Sequence, residues 1–375
     1  MDPKIDLLVV GGGPAGLATA IRARQVGLTV RLLDRCRPPI DKACGEGLMP
    51  DGVALLQRLG VEIPERERLA FLGVRYLDGE LVADGGFPGA PGWGVRRTAL
   101  HEAMTARAET LGAELCWGVA AQGIEAGGVR TGRGVERARF IVAADGLRSR
   151  LRREMGLGGS KSPHARFGLR RHFRIAPWSD RVEVHWGAGA EAYVTPVASD
   201  LVGVAVLFEG GGLDFDAVLG RFPALARRLA GAPAASRDRG AGPLAQRVRA
   251  VASGNLALVG DAAGYVDAIT GEGVAAAFRQ AFAVVEAIVS GSLAGYPAAH
   301  RRIVRLPEAL TRLLLTVERR PWLRRRVMRA LASDRRLFDA ILALHVGARP
   351  LHPWTERAAS RMAWRLLVPG HPART

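Results

Sequence analysis

The sequence predicts an α/β protein: a three-layer fold on a mostly parallel sheet, a mixed or antiparallel sheet inserted into it, and a helical cap at the C-terminal end. Three observations carry this. Residues 5–35 run from an apolar strand through a glycine-rich turn into a helix-compatible stretch and a second apolar strand. The same strand-then-helix order returns at residues 255–291. Between them, residues 165–210 hold four short alternating runs separated by turn residues, the pattern of strands with two unlike faces. A chain of 375 residues is long enough for two lobes.

The first motif, "IDLLVVGGGPAGLATAIRARQVGLTVRLLDR", has the grammar of a Rossmann-like unit. The strand ends at Val10, and Gly11-Gly12-Gly13-Pro14-Ala15-Gly16 makes the turn into a helix running to Val26. Gly11 permits the tight turn, Gly13 lets backbone approach a pyrophosphate, and Gly16 allows the helix to pack close to the strand. The helix N-terminus presents free N–H groups and a positive dipole end to phosphates. The second strand ends at Asp34, 18 residues after Gly16, where an acid takes ribose hydroxyls. The motif implies a dinucleotide and leaves NAD or FAD open.

The second motif, "GNLALVGDAAGYVDAITGEGVAAAFRQAFAVVEAIVSG", puts Asp261 at a strand end and Gly271-Glu272-Gly273 at the start of a long helix. An acid there suits the hydroxyls of a ribityl chain. Glycine N–H groups at a helix start suit the edge of an isoalloxazine that becomes anionic on reduction, so the pair points to FAD. Between the two motifs, "FIVAADGLRSRLRREMGL" is a buried strand ending in Ala144-Asp145-Gly146.

Glycine fingerprint, Asp-Gly segment and Gly-Asp segment, in this order, resemble the FAD-dependent para-hydroxybenzoate hydroxylase superfamily, over roughly residues 1–291. It includes aromatic monooxygenases, geranylgeranyl reductases and flavin halogenases. The resemblance implies that Gly11, Gly13, Pro14, Ala15 and Gly16 hold the pyrophosphate, and Asp34 with Arg35 the adenosine end. It assigns Asp261 to the ribityl chain, Gly271 and Gly273 to the flavin ring, and Cys44 and Gly45 to the segment passing beside that ring. "VRRTALHEAM" resembles the superfamily's R-x-x-L-x-x-x-L helix, making Arg97 a phosphate contact. Ala268 departs from the proline many relatives have before the T-G-E-G turn.

No second nucleotide fingerprint follows, so the reductant is expected to bind transiently, as NAD(P)H, or to arrive from another protein. The inserted strands are expected to roof the flavin. Strand alternation puts Glu183 with His185, and Glu191 with Tyr193 and Thr195, on common faces. His185 and Tyr193 are the candidates to orient or deprotonate a phenolic substrate, against the alternative of sheet residues with satisfied polar tips. The halogenase W-x-W-x-I-P strand is replaced by Glu191-Ala192-Tyr193-Val194-Thr195-Pro196, without tryptophan, which argues against halogenation. "KACGEGLMP" resembles a segment of geranylgeranyl-reductase-like proteins, whereas the text from Phe167 through "VEVHW" to "GDAAGYVDAITGEG" resembles bacterial FAD-dependent monooxygenases. The expectation leans to hydroxylation of an aromatic, polyketide or phenolic-lipid substrate through a flavin C4a-hydroperoxide. Reduction of isoprenoid double bonds is the alternative, and a non-catalytic flavin-binding sensor a third.

The expected domains are residues 1–75 with 97–165 and 250–295 for the cofactor, 76–96 with 166–249 for the substrate sheet, and 296–375 for a basic helical tail. The net charge of +17 comes almost wholly from arginine, the chain holding three lysines, and reads as a compositional bias rather than a nucleic-acid surface. Three cysteines, Cys36, Cys44 and Cys116, make no disulfide framework and no metal-ligand spacing, so no metal is expected. Cys44 reads as a packing residue, a pocket-shaping residue or a redox-active thiol, the last needing a lowered pKa. The absence of an apolar run near 18 residues and of an N-terminal leader pattern points to a cytoplasmic protein. The tail is leucine-rich and basic, with stripes Leu310, Leu313, Leu314, Val317, then Leu323, Val327, Leu331, then Leu337, Ile341, Leu344. It reads as a cap over the substrate lobe with arginines outward. With Trp322, Trp354 and Trp364 it also reads as a peripheral contact to anionic membranes.

Overall fold

A computed structural model describes residues 5–159 and 165–347. The strand Leu7–Val10 is four apolar residues, all buried, at the centre of a six-stranded sheet. The order across this sheet is Ala252–Ser253, Leu256–Leu258, Phe140–Ala143, Leu7–Val10, Val30–Asp34, Glu114–Trp117, and all neighbours are parallel except the Ala252–Ser253 edge. After Leu7–Val10 the chain crosses to Val30–Asp34 on one side and only later to Phe140–Ala143 on the other. That reversal opens a crevice at the carboxyl ends of the strands, where ligands of doubly wound sheets bind. The helices Pro14–Gln25 and Gly273–Val289 pack on each other, and Leu17, Ile21, Phe278 and Val284 join Leu7, Val9 and Leu32 in one core. A three-stranded antiparallel sheet, Ala121–Glu125, Gly128–Thr131 and Gly134–Glu136, shares that core through Val129.

The second lobe is a seven-stranded sheet in the order Arg239–Ala241, Arg166–Arg174, Leu201–Glu209, Ala190–Ala198, Val182–Gly187, Gly73–Asp78, Leu81–Gly86. It is antiparallel apart from the parallel pairing of Val182–Gly187 with Gly73–Asp78. The four expected strands are all present. The expected boundary between residues 75 and 76 needs correction: it cuts the strand Gly73–Asp78, which pairs as one piece from Val74↔Val182 to Leu77↔His185. One face of the sheet packs Val194, Val204 and Phe208 against the short helices Phe215–Leu219 and Pro223–Leu229. The other face carries Val182, Val184 and Trp186 toward the tail.

The tail folds as three helices, Tyr296–Glu318, Pro321–Ser333 and Arg335–His345. Pro321 opens the second at a position whose N–H has no helical partner, and Asp334 caps the third by accepting from Leu337 N at 3.1 Å. The fully buried Tyr296 donates its hydroxyl to Leu258 O at 2.7 Å, which pins the start of the tail to the parallel sheet. Met328, Leu331, Phe338 and Leu342 pack on the second sheet. Trp354 and Trp364 lie outside the described residues. Among the described residues no helix is long and apolar enough to cross a membrane.

Candidate active site

The glycine turn sits at the mouth of the crevice, and its three motif glycines have different reasons to be glycine. Gly11 has φ +112°, and a Cβ on it would lie 2.3 Å from Ala144 O; a Cβ on Gly16 would lie 1.8 Å from Gly11 O. Both permit backbone to pack on backbone. A Cβ on Gly13 would meet only Arg97 Nη2, at 3.6 Å, so this glycine faces open space. Pro14 and Ala15 follow at the helix start and line the same cavity. Asp34 accepts from Gly12 N and from Cys36 N, both at 2.7 Å, and ties the turn to the end of the second strand. Arg35 beside it is exposed. The buried His101, not anticipated from the sequence, meets Gly12 O through Nε2 at 2.9 Å. Burial lowers its pKa, so the imidazole is neutral with its proton on the donating Nε2.

Arg97 begins the helix Arg97–Thr110 and is 9% exposed; its Nε has no hydrogen-bond partner among the described residues. A buried guanidinium with an unused donor, beside a glycine that leaves room, suits a diphosphate. Asp261 lies in the turn Gly260–Ala263, where burial pushes its carboxyl up against the opposing pull of Arg97, Lys42 and Arg152. Arg152 donates to Asp261 O at 3.2 Å and Ala262 O at 3.1 Å and fixes this turn. Asp145 does not line the cavity. It accepts from Arg150 N at 2.7 Å and braces the start of the helix Arg150–Glu154. The residues at the crevice therefore fit FAD: an open glycine, a helix N-terminus and Arg97 at the diphosphate end, and Asp261 farther along.

A single cavity of about 510 Å³ runs from the glycine turn and Arg97 past Asp261 into the space between the two sheets and the tail helices. Its cofactor-side wall holds Cys44, Gly45, Gly271 and Gly273. Gly271 has φ +70°, which a side chain would strain, and Gly273 opens the helix Gly273–Val289. Thr195 donates to Gly45 O at 2.7 Å and holds the Cys44–Gly45 segment against the second sheet. The half-buried Cys44 accepts weakly from Glu46 N, Sγ to N 3.4 Å, and burial pushes its thiol up, opposite to what a redox-active thiolate requires.

The far wall is aliphatic and aromatic. Tyr76, Val184 and Trp186 come from the sheet, and Leu314, Val327 and Leu331 from the tail helices. Tyr193 lines the cavity, as the sequence placed it, but its hydroxyl donates to Ile269 O at 3.0 Å and burial raises its pKa well above 10. It is a positioned neutral phenol rather than a ready base. The expectation for His185 is corrected: the strand turns Val182, Val184 and Trp186 into the cavity, so Glu183 and His185 point to the opposite face. There His185 Nε2 lies 3.2 Å from Glu183 Oε2, which also accepts from Trp178 Nε1 at 3.0 Å.

Residues 4–170 match the FAD binding domain family. The chain is 29% identical over 334 residues, 80% of each chain, to menaquinone reductase of Mycolicibacterium smegmatis. It is 32% identical over 216 residues, 50% of this chain and 51% of the relative, to the FAD-dependent monooxygenase OpS4 of Beauveria bassiana. Among solved structures, a flavoprotein/dehydrogenase from Cytophaga hutchinsonii superposes with a TM-score of 0.83 at 19% identity, over 96% of this chain and 98% of that one. At that identity the likeness concerns the fold.

Proposed function

We propose that this chain, whose residues 4–170 match the FAD binding domain family, is an FAD-dependent oxidoreductase that reduces a carbon–carbon double bond in the aliphatic chain of an isoprenoid lipid. The carrying observation is the far wall of the cavity, built by Leu314, Val317, Val327 and Leu331 from the tail together with Val184 and Trp186 from the sheet. Such a surface takes a hydrocarbon chain and excludes water. The side chains chosen to deprotonate a phenol support hydroxylation less well, with His185 on the opposite face and the Tyr193 hydroxyl engaged with Ile269 O. The similarity to menaquinone reductase over 80% of both chains supports a reductive reading in general.

FAD, when bound, supplies the hydride, and NAD(P)H restores it. The chain's own residues do the rest. The glycine turn, Arg97 and Asp34 would hold the dinucleotide, and Asp261 would orient its ribityl portion. Gly271 N donates to Ala268 O at 3.0 Å and shapes the turn, so the start of the Gly273–Val289 helix would turn its free N–H groups to the ring edge, and the leucine wall lays the lipid chain alongside. Tyr193 keeps Ile269 and the loop carrying it in place through its hydroxyl.

Hydroxylation of an alkylated phenol is the second reading. It is favoured by the similarity of half the chain to a monooxygenase and by the same wall, which would hold an alkyl tail. One experiment separates them: the FAD-loaded protein is given NADH or NADPH with geranylgeranyl lipids, prenylated quinones and long-chain alkylphenols, with and without oxygen. A product carrying two added hydrogens, formed anaerobically, is expected. A product carrying one added oxygen, formed only in air, overturns the reductive reading.

We also propose a peripheral contact with anionic lipid. Trp322 is 58% exposed and lies outside the cavity lining, Leu313, 57% exposed, sits at the cavity's rim, and Arg305 and Arg325 on these helices and Arg320 at the junction between them are exposed. Apolar and cationic groups together suit the interface of a membrane that delivers a lipid.

A further inference from the structure

The strand Arg166–Arg174 turns Arg166, Arg170 and His172 into the protein on alternate residues, all three at most 2% exposed. His172 sits between two partners. Its Nε2 lies 2.5 Å from Glu46 Oε2, and its Nδ1 lies 2.8 Å from Ser236 Oγ and 3.0 Å from Arg170 Nη1. A guanidinium only donates, so Nδ1 is an acceptor and the ring proton resides on Nε2, directed at the Glu46 carboxylate. Arg170 is itself anchored by Asp41. Ser236 is half-buried, in the segment between the Pro223–Leu229 helix and the Arg239–Ala241 strand. Glu46 lines the cavity, two residues from Cys44, and adopts φ 60°, a backbone conformation uncommon for a residue with a side chain. It is fixed there by accepting from Arg97 N at 2.9 Å. The neighbouring strand leaves room for the pair: a Cβ on Gly203 would stand 3.2 Å from Glu46 Oε2 and 3.6 Å from the His172 ring.

We propose that Ser236, His172 and Glu46 form a proton wire from solvent to the cofactor-side wall of the cavity, delivering the proton that accompanies hydride in the reduction. This rests on the reductive reading above. In one passage the Ser236 hydroxyl proton moves to His172 Nδ1 as the Nε2–H proton moves to Glu46 Oε2. Glu46 then releases its proton to the substrate carbon left electron-rich by hydride addition to its neighbour, and Ser236 Oγ regains a proton from water. The imidazole ends with its proton on Nδ1 and returns to the Nε2–H tautomer by ring turnover before the next passage. One proton enters from solvent, one joins the substrate, and no electrons move along the wire. Arg170 is the positioning residue: it sets the resting tautomer, and its donor to Ser236 Oγ, at 3.3 Å, eases release of the hydroxyl proton.

The test begins on the full-length, FAD-loaded chain without substrate. Selective 15N-histidine labelling should show His172 protonated on Nε2 and bare at Nδ1, with the Nε2 proton exchanging with water. In Ser236→Ala that exchange should slow at least about tenfold, an order-of-magnitude expectation for removing one member of a hydrogen-bonded path. A proton on Nδ1 at rest, or equal exchange in both proteins, overturns the wire. The second arm is anaerobic single turnover with a geranylgeranyl lipid. His172→Gln should slow reoxidation of the reduced flavin by about 10²-fold, the low end of general acid catalysis, and enlarge the solvent isotope effect, with flavin reduction by NAD(P)H unchanged. An unchanged isotope effect with a lowered Tm identifies a brace and overturns the wire. Absence of lipid reduction by the unaltered protein defeats the reductive reading, while the exchange measurement still decides the wire.

Discussion

Arg166 Nε lies 3.1 Å from Asp267 Oδ2, joining a strand of the second sheet to the loop that leads into the Gly271–Gly273 turn. The same guanidinium meets Glu191 of the neighbouring strand and Glu318 of the first tail helix, and all four side chains are at most 3% exposed. Three carboxylates share one cation, so burial pushes Glu191 up to about 7, against the pull of Arg166. The cluster joins the sheet, the cofactor-flanking loop and the tail at one point. Removing the cation they share leaves buried acids poorly compensated, and Arg166→Met should lower stability by about 3–5 kcal/mol, measurable as a shift of the urea midpoint. A change below about 1 kcal/mol would assign the cluster no more weight than a surface pair.

Glu272 precedes the helix Gly273–Val289, 5% exposed and pushed up to about 8, first by burial and then by the neighbouring Asp51 carboxylate. The folded state favours the neutral acid. The resulting stabilisation is complete below the unfolded value near 4.5 and is lost as pH rises through about 8. Glu272→Gln removes the titration. The Tm difference between the two proteins should therefore shift in favour of the variant from pH 5 to pH 9, and a pH-independent difference would contradict the buried neutral acid.

Gly13 and Gly16 separate packing from cofactor binding. Gly16→Ala would put a methyl 1.8 Å from Gly11 O and should destabilise the fold by several kcal/mol, because backbone cannot yield as a side-chain tip does. Gly13→Ala meets only Arg97 Nη2 at 3.6 Å and should fold normally, but its methyl fills the space for the diphosphate and should weaken FAD binding at least about tenfold, near 1.4 kcal/mol. Asp261→Ala should likewise lose bound flavin. Flavin absorbance after gel filtration, beside a melting curve, reads both effects; full retention in Asp261→Ala would remove it from the cofactor site.

Replacing Trp322 by Ala should weaken sedimentation with anionic liposomes at low salt without changing Tm, since this side chain is more than half exposed and does not line the cavity. No sedimentation of the unaltered protein at low salt would rule out the lipid contact.

The glycine turn, Asp34 and the Gly273 helix were legible because each is a local grammar of strand, turn and helix. The four inserted strands were legible by alternation, but alternation assigns two faces without saying which one meets the cavity. His185 was misplaced for that reason: the packing of Trp186 and Val184 on the tail decides the face. The Glu46–His172 pair joins positions 126 residues apart and has no local signature. Two signals could have raised it: an acid inside the glycine-rich Cys44–Gly47 segment, and four arginines and a histidine crowded into the nine-residue strand Arg166–Arg174. The leucine stripes predicted the tail helices, and their role as a cavity wall became visible only once they docked.

Tyr296, held to Leu258 O, marks where the chain passes from the cofactor seat to the helices that shape the substrate wall. On the proposed function, the residues that would seat the flavin precede this buried phenol and the tail's share of the hydrocarbon wall follows it, the rest of that wall coming from the second sheet. Exchanging the helices after this residue between related proteins would re-specify which hydrocarbon is accepted while the flavin environment passes through unaltered, so variation in this lineage could explore new lipids one tail at a time.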